Sequence, residues 1–363
     1  MKKILLFLFV ILLIGVGGYI YKQNLWQTSF VDRSTIKIGV ILPLSGNNAA
    51  LGEGALKAAQ LAFNEMTKNT KYTYQMVVED DQLKGAITAN VITKMISSDQ
   101  INAVITYFAG SGLVVSPFAN RHKLIHLGST WEDAVADGKY NFIQNPTRED
   151  VAAKMLDQMK FFPDAKNIAF LTEVRSGTEI AIAMMQEKFE GEGYHTSLNS
   201  INRGEKDFRL LIQKLKNQQT DLFVLNFIPP ETDIIIRQMH EAGITNDKIT
   251  GMSFEIVQYP EALEGVRFLT ASNCTEEFAV KMGGEVTYQA NIVYDLMRLL
   301  IQAYEENYKE GVIPSSDVIA DYILSLEPYD CASVKCTVTP QGHIVSPPGV
   351  KEYQGGKFIV IHE

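Results

Sequence analysis

Two doubly wound α/β lobes are the architecture this sequence predicts, and three observations predict it. Short β-branched runs alternate with longer stretches whose apolar residues recur at helical spacing. About ten such runs can be counted, more than one open sheet usually holds. The chain is 363 residues long, with 46% apolar and 21% charged residues, enough for two ordinary cores. Alternation of strand and helix at this spacing implies parallel sheets with helices on both faces.

The elements follow in order. IKIGVIL (36–42) is the first strand, and a helix with Leu56, Ala59, Phe63 and Met66 on one face comes next. YQMVVED (74–80), AVITYF (103–108), LIHLG (124–128) and NFIQN (141–145) continue the strand series, and Val151, Met155, Met159 and Phe162 mark a further helix. NIAFLT (167–172), TSLNSI (196–201), DLFVLNF (221–227), ITGMS (249–253) and RFLTAS (267–272) supply a second set of strands. Leu210, Leu211 and Leu215 crowd a helix among them. A long helix over 286–308 carries Ile292, Leu296, Leu299, Ile301 and Tyr304 near one side. A proline-rich, turn-rich stretch then leads to a last strand, FIVIH (358–362).

Lys2 and Lys3 precede an uncharged apolar run, residues 4–21, near the lower limit for crossing a bilayer and long for a signal-peptide core. The lysines predict that the body lies outside the cytoplasmic membrane, behind either an uncleaved anchor or a cleaved signal; 1–34 is then signal plus tether. The net charge is −9, and residues 1–30 hold only basic charges, so the body is more acidic still. Such a body repels phosphate backbones, which argues against a nucleic-acid partner. In an exported protein, Cys331 and Cys336 in YDCASVKC form either a local disulfide or two buried thiols, with Cys274 left over and buried.

Two strand ends stand out. ITYFAGSGLVVSP (105–117) leaves a strand through Gly110-Ser111-Gly112. As a dinucleotide fingerprint it fails, because Val115 stands where a third glycine is needed. Two readings remain: a tight turn needing glycine conformations, or bare amides and a helix start offered to a small anion. One strand later, LIHLGSTWEDA (124–134) again ends in glycine, followed by Ser129-Thr130, with Trp131 as floor of the crevice or as core. Neighbouring strand ends of this kind form the crevice where open α/β sheets bind ligands.

IKIGVILPLSGNNAALGEGALKAAQLAFNEM, GEKDFRLLIQKLKNQQTDLFVLNF and ETDIIIRQMHEAGI resemble, in register over about 35–363, the branched-chain amino-acid-binding type of solute-binding protein. The resemblance implies a type I periplasmic-binding-protein fold, two Rossmann-like lobes joined by a three-stranded hinge, crossing near Pro146, Asn273 and Gly342. Lobe one would hold 35–146 and 274–342, and lobe two 147–273 and 343–363. It further implies that Gly110, Ser111, Ser129 and Thr130 hold a ligand carboxylate and that Glu255, in GMSFEIV, holds its ammonium. Family aromatics are missing from the loop Arg175-Ser176-Gly177, where Ser176 is the candidate contact, and near Ile228, which argues against branched-chain specificity. The function implied is capture of a small polar ligand, an amino acid or a related carboxylate or amide, for an ABC importer permease. The alternative is a membrane-tethered sensor or accessory protein using the same clamp.

Other chemistry finds no footing in the sequence. There is no G-x-S-x-G, H-E-x-x-H, Walker A or C-x-x-C motif. His122 and His126 straddle a helix-to-strand change, which spoils a shared metal face. Asp80-Asp81 reads as a polar loop rather than an acid–base pair. The expectation is a non-enzyme without cofactor or metal.

Overall fold

The computed structural model describes residues 35–174, 178–271, 273–284 and 286–361. The first half opens with β1 (Thr35–Leu42), α1 (Ala49–Met66), β2 (Thr73–Asp80), α2 (Gly85–Lys94), β3 (Ala103–Tyr107), α3 (Phe108–His122), β4 (Ile125–Ser129) and β5 (Asn141–Asn145). These strands pair in parallel in the order β5-β4-β3-β1-β2. A parallel sheet covered on both faces writes itself as near-continuous apolar runs. Accordingly Ile36, Ile38, Val40 and Leu42 are fully buried, each worth about 1.5–3 kcal/mol.

The second half follows with α4 (Arg148–Asp157), β6 (Asn167–Glu173), α5 (Thr178–Gly191), β7 (His195–Ile201), α6 (Arg209–Asn217), β8 (Leu222–Asn226), α7 (Glu231–Glu241), β9 (Ile249–Gly251) and β10 (Arg267–Thr270). Its parallel sheet runs β7-β6-β8-β9. Phe208, Phe223, Phe227, Phe254 and Phe268 pack into one core of this half. On α6 the buried residues are Ile212 and Leu215, with Leu211 packed beside them, whereas Leu210 is 89% exposed and lies off the expected apolar face.

The chain then returns to the first half through α8 (Glu276–Lys281), α9 (Ala290–Glu306), α10 (Ser316–Leu324) and the hairpin β11 (Tyr329–Cys331) with β12 (Val334–Val338). Helix α9 packs on the alanine face of α1. The approach beside it is close: a Cβ on Gly54 would lie 1.9 Å from Thr287 Oγ1. The short strand β13 (His343–Val345) follows, and β14 (Gly349–Gln354) and β15 (Lys357–Ile361) pair with β10 as an antiparallel three-stranded sheet.

The polypeptide therefore passes between the halves after Asn145, after Thr270 and after Val345. The first passage is marked by Pro146 and by Thr147, whose hydroxyl accepts from Asp150 N–H at 3.0 Å and caps α4. The last differs from the expectation at Gly342. His343–Val345 pairs in parallel with β5, so these residues belong to the first sheet. Gly342, at φ 85, only turns the chain onto that edge. The crossing comes at Pro347-Pro348, which lack the N–H groups a continuing strand needs.

Cys331 and Cys336 form a disulfide across the β11–β12 hairpin, with Cα atoms 6.0 Å apart, and Cys274 is a buried free thiol. The closed loop is short. Reduction should cost about 2 kcal/mol, read as a lower urea midpoint in the presence of a reductant; an unchanged midpoint would show that the hairpin holds without the bond.

The membrane segment expected at 4–21 lies outside the described residues, as do Arg175 and Ser176. Among the described residues no helix is long and apolar enough to cross a membrane.

Candidate functional site

The C-terminal ends of β4, β8 and β9 face one another across a cavity of about 190 Å³. The first half contributes Phe108, Ala109, Ser129, Thr130, Trp131 and Tyr288 to its wall. The second half contributes Val151, Asn226, Phe227, Ile228, Met252 and Ile256. Trp131 packs against the cores of both halves, which makes it the floor of the crevice rather than a residue of either core alone.

Phe108 begins α3 at φ 66, a left-handed conformation uncommon for a bulky residue. Its ring stacks on Tyr288, with centroids 5.8 Å apart, and meets Tyr107 edge-on at 4.4 Å. The Tyr107 hydroxyl donates to the Tyr288 carbonyl at 2.7 Å, fixing that aromatic corner. A polar chain runs behind it: Ser129 donates to Gln289 Oε1 at 2.9 Å, and Gln289 Nε2 donates to Asn145 Oδ1 at 3.1 Å. The ends of β4 and β5 are thus tied to the segment entering α9. Thr130 Oγ1 accepts from Glu132 N–H at 3.1 Å, which tightens the turn after β4. At the rim, Arg148 pairs with Asp133 and donates to the Trp131 carbonyl at 3.2 Å. The result is an apolar box with a few convergent polar groups, the usual form of a small-molecule site.

A profile of the family described as periplasmic binding protein matches residues 35–314. The chain belongs to that family. Among its relatives is the Leu/Ile/Val-binding protein BraC3 of Rhizobium johnstonii, 25% identical over 295 residues, covering 76% of this chain and 78% of that one. The leucine-binding protein LivK of Thermotoga maritima superposes with a TM-score of 0.77 at 21% identity, over 90% of this chain and 98% of that one. A solute-binding protein of an ABC transporter from R. palustris, crystallised with benzoate, gives 0.73 at 16% identity, over 90% and 95%. At these identities the likeness to the solved structures is one of fold.

In this periplasmic binding protein Ser129 and Thr130 reach the cavity wall as expected from their strand end. Gly110 and Ser111 do not. The segment is neither a turn nor a loop but the first turns of α3, and Gly110 has no left-handed backbone. Ser111 is 1% exposed and donates to Asp81 Oδ2 at 2.5 Å. Gly112 is small because Val135 lies opposite, 3.2 Å from where a Cβ would stand. What reaches the cavity is the start of the helix, Phe108 and Ala109.

Glu255 is also displaced from the expected position. Ser253 and Ile256 line the cavity, whereas the Glu255 side chain is turned into the interior. There it accepts the Thr270 hydroxyl and lies 3.5 Å from Lys351 Nζ. Asp80 is the last residue of β2 and Asp81, fully buried just after it, accepts the Thr88 and Ser111 hydroxyls, so the pair is not the solvated polar loop read from the sequence. Burial works to raise the Asp80 pKa. Bonds from the Ser45 hydroxyl and from the Gln82 and Leu44 N–H groups outweigh it and hold the carboxylate below its usual range.

The expected loss of an aromatic near Ile228 needs correction. Phe227, one position earlier, supplies a ring to the wall beside Ile228. Phe108, Tyr288, Gln289 and Met252 were not legible as site residues. Only Phe108 carried a signal, as an aromatic at the end of an apolar strand beside a glycine pair.

Proposed function

We propose that this periplasmic binding protein closes its lobes around a small molecule with a carboxylate head and an apolar body, and delivers it to an ABC importer permease. The observation that carries the reading is the cavity of about 190 Å³ walled from both lobes by rings and aliphatic groups, with Thr130 beside the start of α3 in the first half's wall. The Thr130 hydroxyl holds the head group, joined by the N-terminal end of α3 at Phe108–Ala109, where first-turn amides and the helix dipole favour an anion, while Ser129 braces that wall through Gln289. The relatives' ligands, leucine in one and benzoate in another, are of a size that suits such a cavity. The transport role is favoured over sensing because the solved neighbours include substrate-binding proteins of ABC transporters.

Family membership supports work outside the cytoplasm, with residues 4–21 as either an uncleaved membrane anchor or a cleaved signal. N-terminal sequencing of native protein checks the anchor, since a start near Gly18 would show cleavage. A thermal-shift screen of amino acids, amides and small carboxylates tests the binding itself. Thr130→Ala should weaken a hit about tenfold, the loss of one hydrogen bond to a charged group. Equal affinity in wild type and variant would move the head group elsewhere.

A further inference from the structure

A cation is already installed against the acid that the resemblance assigned to a ligand ammonium. Lys351, on β14, is 2% exposed. Its Nζ lies 3.5 Å from Glu255 Oε1 and donates to the Val286 carbonyl at 3.4 Å. The Thr270 hydroxyl donates to the same carboxylate oxygen. Since Ser253 and Ile256 line the cavity, this ion pair sits immediately behind the ligand wall. Val286 precedes Tyr288 and Gln289, which also line it, so the lysine is anchored to both lobes at the back of the site.

A buried carboxylate needs a counter-charge, and at this depth charges interact strongly because little water screens them. Lys351 meets that need from within the chain. An ammonium entering the cavity would meet a carboxylate already paired through Oε1 and a like charge beside it. The other acid on the wall, Glu132, accepts the Ala134 N–H through Oε1 at the start of the 133–135 turn. We infer that Lys351 is a specificity-determining residue: it occupies the counter-ion place of a ligand ammonium, so the ligand is an apolar carboxylic acid without an amino group. This rests on the binding reading above and narrows its ligand class.

The test is calorimetry on the full chain with matched pairs, leucine against 4-methylpentanoate and phenylalanine against 3-phenylpropanoate. Wild type should bind the acid of a pair at least about tenfold tighter than the amino acid, and Lys351→Met should shrink or reverse that ratio by about tenfold. Circular dichroism checks that the variant is folded. If it is not, the wild-type ranking decides alone. A wild-type preference for the amino acid overturns the inference while leaving the cavity as the binding site. A ratio unmoved in folded Lys351→Met overturns the role of the lysine. Failure of every pair member to bind wild type overturns both the inference and the carboxylate reading of the cavity.

Discussion

Replacing Asp295 by alanine should cost roughly 3–5 kcal/mol of stability. Asp295 lies on α9 and is 4% exposed. Its carboxylate accepts from Ala332 N–H at 2.7 Å, Ser333 N–H at 3.0 Å, the Ser333 hydroxyl at 2.7 Å and Gln144 Nε2 at 3.2 Å. One side chain therefore clamps the disulfide hairpin and the β5 edge to the central helix of lobe one. Alanine would strand buried donors that have lost their water as well as their acceptor, and each orphan costs about 1–3 kcal/mol. Urea unfolding of the oxidised protein measures it. A loss under about 1 kcal/mol would mean that the hairpin reorganises or that water enters.

The second large effect is a dependence on pH centred on one histidine. His126 on β4 is fully buried, with Nε2 2.8 Å from Thr106 Oγ1 and Nδ1 2.8 Å from Asn141 Oδ1. Asn141 spends its NH₂ on Asp137 and Asn120, so its oxygen faces the ring. The proton therefore sits on Nδ1, and Nε2 accepts the threonine hydroxyl. Burial pushes the pKa down to about 4, against the Asn141 bond and the nearby Asp137 charge, which pull it up. The unfolded chain takes up a proton below 6.5, whereas the folded one resists until about 4. Stability is therefore intact above 6.5 and falls as pH drops through that window, by about 3 kcal/mol in total at about 1.4 per pH unit. Urea midpoints from pH 7 to 4.5 should show the slope, and His126→Gln should flatten it. An identical slope in the variant would assign the acid sensitivity to other groups.

Most of the strands were legible because a parallel sheet packed on both faces must be built from apolar, β-branched runs, and such runs are local in the chain. NFIQN at 141–145 is a strand over those same residues, and β1 through β10 fall within a few residues of their expected places. The strands at 329–354 were not legible. They are short and mixed in polarity, and they exist because β5, β10 and the disulfide give them partners. The site divides the same way. Ser129 and Thr130 end a strand at the sheet's C-terminal edge, a position that alternation alone predicts. Local signals left Gly110-Ser111-Gly112 open between a tight turn and bare amides at a helix start. Contacts from Asp81 and Val135, both distant in sequence, make it a packed helix start. By itself the sequence determined the strand–helix order, the place of the crevice and the acids near it. That Glu255 is paired inside the protein was decided only in three dimensions, because its charge is answered by Lys351 on a strand that the chain reaches after its third crossing.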